Sequence, residues 1–161
     1  MKELGYQNIK IYNGGIKDWE KAGFELKREE ALPEYKGRYI TSEELLTRLN
    51  ETEKKGCVDA GGKPMLTILD LRTEHHFEAT RKLSSIDTSC PTLELLLDDL
   101  QKQEIRDKVP KDGLVVTVTE TGNRDIFAMK FMYKYGYTNI VGLNFGMRGW
   151  IKPGYPEQIS E

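Results

Sequence analysis

Two short apolar runs, residues 65–71 (MLTILDL) and Leu114–Val118 (LVVTV), constrain this chain more than any other feature. A run that is apolar or β-branched at nearly every position has no face to offer to water. Each therefore predicts a strand buried on both sides, and such strands belong to parallel sheets covered by helices. The segments between them supply the helices. Thr41 followed by Glu44 is a capping box, and Leu45, Leu46 and Leu49 give the helix it opens one apolar stripe. Leu93, Leu96, Leu97 and Leu100 fall at i, i+3, i+4 and i+7 and predict an amphipathic helix, broken by residues 110–113. A helix apolar around most of its girth is predicted over residues 125–135, and a last strand over 139–143. The expected fold is α/β, a central parallel sheet with helices on both faces.

A second feature concerns domain organisation. Residues 4–26 aligned with residues 135–157 share nine identities at a constant offset of 131: Gly5/Gly136, Tyr6/Tyr137, Asn8/Asn139, Ile9/Ile140, Asn13/Asn144, Gly15/Gly146, Trp19/Trp150, Lys21/Lys152 and Gly23/Gly154. Unrelated segments of that length match at roughly one or two positions. The pair reads as two copies of one structural element. The second copy closes a complete unit, and the first is expected to be the C-terminal remnant of a preceding repeat. The expected division is residues 1–26 as that remnant, 27–38 as linker, 39–157 as the domain and 158–161 as tail. A strand and short helix without their sheet cannot bury their own apolar face, so Ile9, Ile11 and Trp19 are expected to pack on residues 39–161 or on another chain, a homodimer through residues 1–26 included.

Composition excludes several functions. With 24 basic and 26 acidic side chains interleaved over 161 residues, the net charge of -2 offers no basic field for a nucleic acid. No apolar stretch approaches the roughly 18 residues of a membrane span, and the first ten residues lack the apolar core of a signal peptide. The cytoplasm is the default expectation, with any export signal lying upstream of Met1. Cys57 and Cys90 are too few for a disulfide-built scaffold and lack metal-ligand spacing, although a single bridge between them is allowed. No metal or cofactor is expected. His75 and His76 are adjacent and diverge on a helix by about 100°. Residues 56–64 miss the phosphate-loop spacing by one residue, and Pro64 follows where a helix would start.

The chemistry is expected in the six-residue loop between LVVTV and its helix: Thr119, Glu120, Thr121, Gly122, Asn123 and Arg124. In parallel sheets ligands sit outside the carboxyl ends of strands, where helix N-termini begin. Amides of a short loop wrapped over such a terminus form an anion nest, with Gly122 permitting positive φ and Arg124 adding charge.

A buried strand, a six-residue loop ending Gly-x-Arg, an apolar helix, Gly-Tyr-x-Asn-Ile and then Gly-x-x-x-Trp together resemble the rhodanese, or sulfurtransferase, domain. Asp70-Leu71-Arg72 with Glu74 and Phe77 resembles that family's first-strand signature, and the repeated tail resembles rhodaneses arranged in tandem. The resemblance spans residues 39–157 and implies a rhodanese-like fold. It further implies a cysteine at the first loop position that takes sulfane sulfur as a persulfide. Here that position is Thr119, whose hydroxyl ionises far above neutral pH and cannot carry a transferable sulfur. Glu120 and Asp125 place two carboxylates around Arg124, which disfavours an anionic sulfur donor, although a carboxylate suits a helix N-terminus. Asp70 and Arg72 are expected to brace the loop as a buried pair. After Phe77 the family's Gly-His-Ile-x-Gly-Ala is replaced by ATRKLSSIDTSCP, altering the pocket wall.

Three readings of the loop follow. The favoured one is a rhodanese-like module without sulfurtransferase activity that binds a small anion or a partner protein. The second is a working sulfurtransferase using Cys90 or Cys57. The third is a phosphatase of the Cys-x5-Arg type, which also needs the missing thiolate and a loop one residue longer.

Overall fold

A computed structural model describes residues 10–26, 31–72 and 84–159. The chain divides into two compact units, Met1–Ala31 and Leu32–Glu161. The first unit carries α1 (Gly15–Lys21). The second carries β1 (Tyr39–Ile40), α2 (Ser42–Glu53), β2 (Leu66–Asp70), β3 (Ser84–Ile86), β4 (Thr92–Glu94), a 3-10 turn over Leu97–Gln101, α3 (Gln103–Arg106), β5 (Leu114–Val118), α4 (Asp125–Lys134), β6 (Ile140–Leu143), α5 (Gly146–Ile151) and β7 (Glu157–Ile159).

Five strands form one sheet in the order β1-β6-β5-β2-β4, every neighbouring pair parallel. The two predominantly apolar runs lie at its centre because their successive side chains feed opposite cores. On one face Leu66, Ile68, Val116 and Val118 join Leu45 and Leu49 of α2 and Met147 and Trp150 of α5. On the other, Leu69 and Val115 meet Ala128, Met129 and Met132 of α4. Each such side chain, fully buried, contributes about 1.5–3 kcal/mol. The α2 capping box forms as expected: the Glu44 amide donates to Thr41 Oγ1 at 3.2 Å and the Thr41 amide donates to Glu44 Oε2 at 2.9 Å.

The leucine stripe of residues 93–100 is not a helix. Thr92–Glu94 is an edge strand paired with β2, Leu93 opposite Leu69, and only Leu97–Gln101 turns as 3-10 helix. With Leu95, which lies outside the helical spacing, the segment also holds a period of two: Leu93, Leu95 and Leu97 pack on the α4-side core, whereas Leu96 is exposed. Hydrogen bonds to the edge of β2, Pro91 O accepting from Ile68 and Asp70 O from Leu95, decide for the strand. The composition gave no sign of the antiparallel pair β3–β7. The glycine-rich segment 56–64 is a turn whose amides at Gly61 and Lys63 donate to the Asp59 carboxylate at 2.8 and 2.9 Å. These bonds hold the Asp59 carboxyl below its usual range and occupy amides that a phosphate would need.

Cys57 and Cys90 are joined in a buried disulfide, with Cα atoms 5.2 Å apart. Glu53 reinforces that junction by accepting from the Thr88 hydroxyl at 2.5 Å and the Ser89 amide at 3.0 Å.

Candidate anion cradle

The 119–124 loop leaves the carboxyl end of β5 and enters α4, as expected. Thr119 is buried, and its Oγ1 accepts the Gly122 amide at 3.1 Å. The loop thus closes around the side chain at its first position. Gly122 adopts φ +81°, and a Cβ there would press on the backbone at Leu143, Phe145 and Gly146. Gly146, at φ +57°, abuts the carbonyl of Thr119 and the amide of Gly122 even more closely. Two glycines are therefore required for one backbone-to-backbone approach. The amides of Met147 and Arg148 donate to the carbonyls of Thr119 and Glu120 at 2.9 and 3.1 Å. The first turn of α5 buttresses the loop from behind.

The charges differ from the sequence expectation. Glu120 does not flank Arg124: its Oε1 accepts from Arg148 Nε at 3.0 Å. Asp125 lies wholly buried beneath the first turn of α4, and neither carboxyl oxygen has a hydrogen-bond partner. Burial pushes its pKa up to about 7; the Thr119 and Thr117 hydroxyls beside it oppose the rise, and the charge of Asp70 adds to it. Burial, and after it the charge of the same carboxyl, raises the Tyr39 phenol. Arg124 is exposed and has no ion pair among the described residues. The two carboxylates expected to surround this cation are thus paired elsewhere or buried, and a cation stands over the N-terminus of a ten-residue helix with no side-chain cap.

Asp70 and Arg72 form the expected buried pair, with Nη2 to Oδ2 at 2.6 Å and Nε to Oδ1 at 3.0 Å. The guanidinium also reaches Ser84 O at 2.6 Å, so the pair ties the end of β2 to β3. Glu74, His75, His76 and Phe77 lie outside the described residues, as do residues 79–83 at the start of the altered wall.

The cysteines are not near the cradle. Cys57 accepts from the Met65 amide, and Cys90 precedes Thr92, which pairs with Ile68; both sit at the start of β2. The loop follows Val118, which pairs with Asp70 at the end of that strand. A strand of this length separates the two ends by about 13 Å. Their sulfurs are bonded to each other, so neither is a free thiol.

Sequence reasoning missed Arg148 and the role of Gly146. The only available signal was the repeat, which marked Gly146 without revealing what approaches it.

The rhodanese-like domain model matches residues 43–153. Among solved structures, the chain is similar to a rhodanese-related protein from Thermoplasma volcanium (TM-score 0.54, 23% identity, 76% of this chain and 99% of that one). It is also similar to a rhodanese-like domain protein from Staphylococcus aureus (TM-score 0.50, 18% identity, 77% and 99%). A third is a protein of unknown function from Rhodopseudomonas palustris, described as a possible tyrosine phosphatase (TM-score 0.53, 15% identity, 95% and 98%). At these identities the likeness concerns the fold. No curated protein sequence matches the chain.

Proposed function

Because the chain belongs to the rhodanese-like domain family, we propose that its 119–124 loop is a cradle for an oxyanion, free or carried by a partner protein, in a domain that does not transfer sulfur. Thr119 carries this reading. Rhodanese chemistry needs a thiolate that attacks a sulfane sulfur, releases the donor's leaving group and holds the sulfur as a persulfide. A hydroxyl in that place is a weak nucleophile and forms no such carrier. What the loop retains is recognition: the open N-terminus of α4, the exposed guanidinium of Arg124 and a backbone curvature that requires Gly122.

Titration with sulfate followed by amide NMR is expected to shift Gly122 and Arg124 first, and Arg124→Ala is expected to weaken binding about tenfold. Thiosulfate with cyanide is expected to give no thiocyanate above blank. Turnover that Cys57→Ala or Cys90→Ala abolishes would establish the sulfurtransferase alternative instead. Hydrolysis of an aryl phosphate would favour the phosphatase reading. Sulfate that leaves every loop amide unmoved would refute the cradle.

A further inference from the structure

The internal repeat is present in three dimensions. α1 and α5 begin at equivalent glycines with left-handed backbone, Gly15 at φ +58° and Gly146 at φ +57°, and both are followed by a second one, Gly23 at +75° and Gly154 at +80°. Each helix carries a tryptophan whose indole N–H donates to a carbonyl six residues on: Trp19 to Glu25 at 3.2 Å and Trp150 to Pro156 at 2.8 Å. Each tryptophan also packs on the aromatic ring five residues later, Phe24 at 4.8 Å and Tyr155 at 5.3 Å. One further pair has exchanged its small member. A Cβ on Gly149 would strike Phe145, and a Cβ on Gly14 would strike Asp18, so each copy keeps one glycine at the same contact.

The copies differ in burial. In α5, Gly146, Met147 and Trp150 are buried, Trp150 completely, and its first amides brace the cradle loop. In α1 no residue is buried, and Ile11, Ile16, Trp19 and Phe24 are all exposed. A helix of seven residues does not hold its shape by propensity, so an apolar face retained on it at the repeat's spacing needs a seat. The seat on residues 32–159 that fits this element is already filled by Trp150. A second unaltered copy of the chain offers no vacancy either.

We propose that residues 10–26 are the closing element of another rhodanese-like repeat, docking Ile16 and Trp19 on its sheet as Met147 and Trp150 dock here. By the same geometry, the amides of Ile16 and Lys17 complete that partner's cradle loop, as those of Met147 and Arg148 complete this one.

The test is a graft within the full chain: residues 144–156 are replaced by residues 13–25, so that both members of each compensated pair move together. A second graft retains Arg148. If the element is made for such a sheet, the grafted chain melts in one transition with a midpoint within roughly 10 °C of the parent. Acrylamide quenching then resolves two tryptophans, one several-fold better protected than the other, as in the parent. Loss of the protected tryptophan in both grafts overturns the proposal. So does light scattering that finds the parent chain dimeric and Trp19→Ala monomeric, because a second copy would then be the occupant.

Discussion

Asp125 gives the sharpest prediction. Its carboxyl is buried without a hydrogen bond and titrates at about 7 in the folded protein, against 3.8 for the free side chain. Between those values the folded state keeps a proton that the unfolded chain has lost. The linkage therefore runs opposite to the usual case of an aspartate: stability is highest below pH 3.8, falls as pH rises through the window and levels off above 7. Each pH unit inside the window costs about 1.4 kcal/mol, and the whole window costs about 4 kcal/mol. Asp125→Asn removes the titrating group while keeping its shape. Urea unfolding of both proteins from pH 4.5 to 8.5, taken as a difference, cancels every other titration. The difference is expected to grow in favour of the Asn variant by about 2.7 kcal/mol over two pH units inside the window and to stay flat above pH 7.5. Parallel curves would show that the carboxyl is solvated or hydrogen-bonded, and the site described here would be wrong.

Three further outcomes follow. Thr119→Cys is expected to yield a thiol more acidic than the ordinary value of about 8.5, because it inherits the Gly122 amide and the helix terminus. Asp125→Asn should lower that pKa further; alkylation rate against pH reads both, and a raised pKa would contradict the cradle's electrostatics. Opening the Cys57–Cys90 bridge, which spans 33 residues of sequence, is expected to cost about 3–4 kcal/mol in urea unfolding. No loss would mean that the bridge does not form in solution. Trp150→Ala is expected to cost about 3–5 kcal/mol and Trp19→Ala almost nothing in the isolated chain, by thermal unfolding; equal losses would mean that the two copies are equally buried.

How much of this was legible in the sequence depended on the range of the interactions. β2 and β5 were readable because a strand buried on both faces is apolar or β-branched at nearly every position, and α2 because Thr41 and Glu44 satisfy each other within one turn. Leu93–Leu100 misled because five leucines lie there, of which 93, 96, 97 and 100 satisfy the helical period and 93, 95 and 97 the strand period, and the choice was made by the edge of β2, distant in sequence. The loop's position and the need for Gly122 followed from local backbone rules. Its charge balance did not: Arg148 finds Glu120 across 28 residues, and the burial of Asp125 follows from the seating of α4 on the sheet. The disulfide depends on tertiary placement alone, which cysteine spacing does not encode.

The central claim is that this cradle receives an anion and carries no sulfur. Intact-protein mass spectrometry after incubation with excess thiosulfate, with the disulfide closed, tests it most directly. The expected spectrum is that of the unmodified chain, while the Thr119→Cys protein under the same conditions gains one sulfur atom. A sulfur adduct on the unaltered chain would contradict the account.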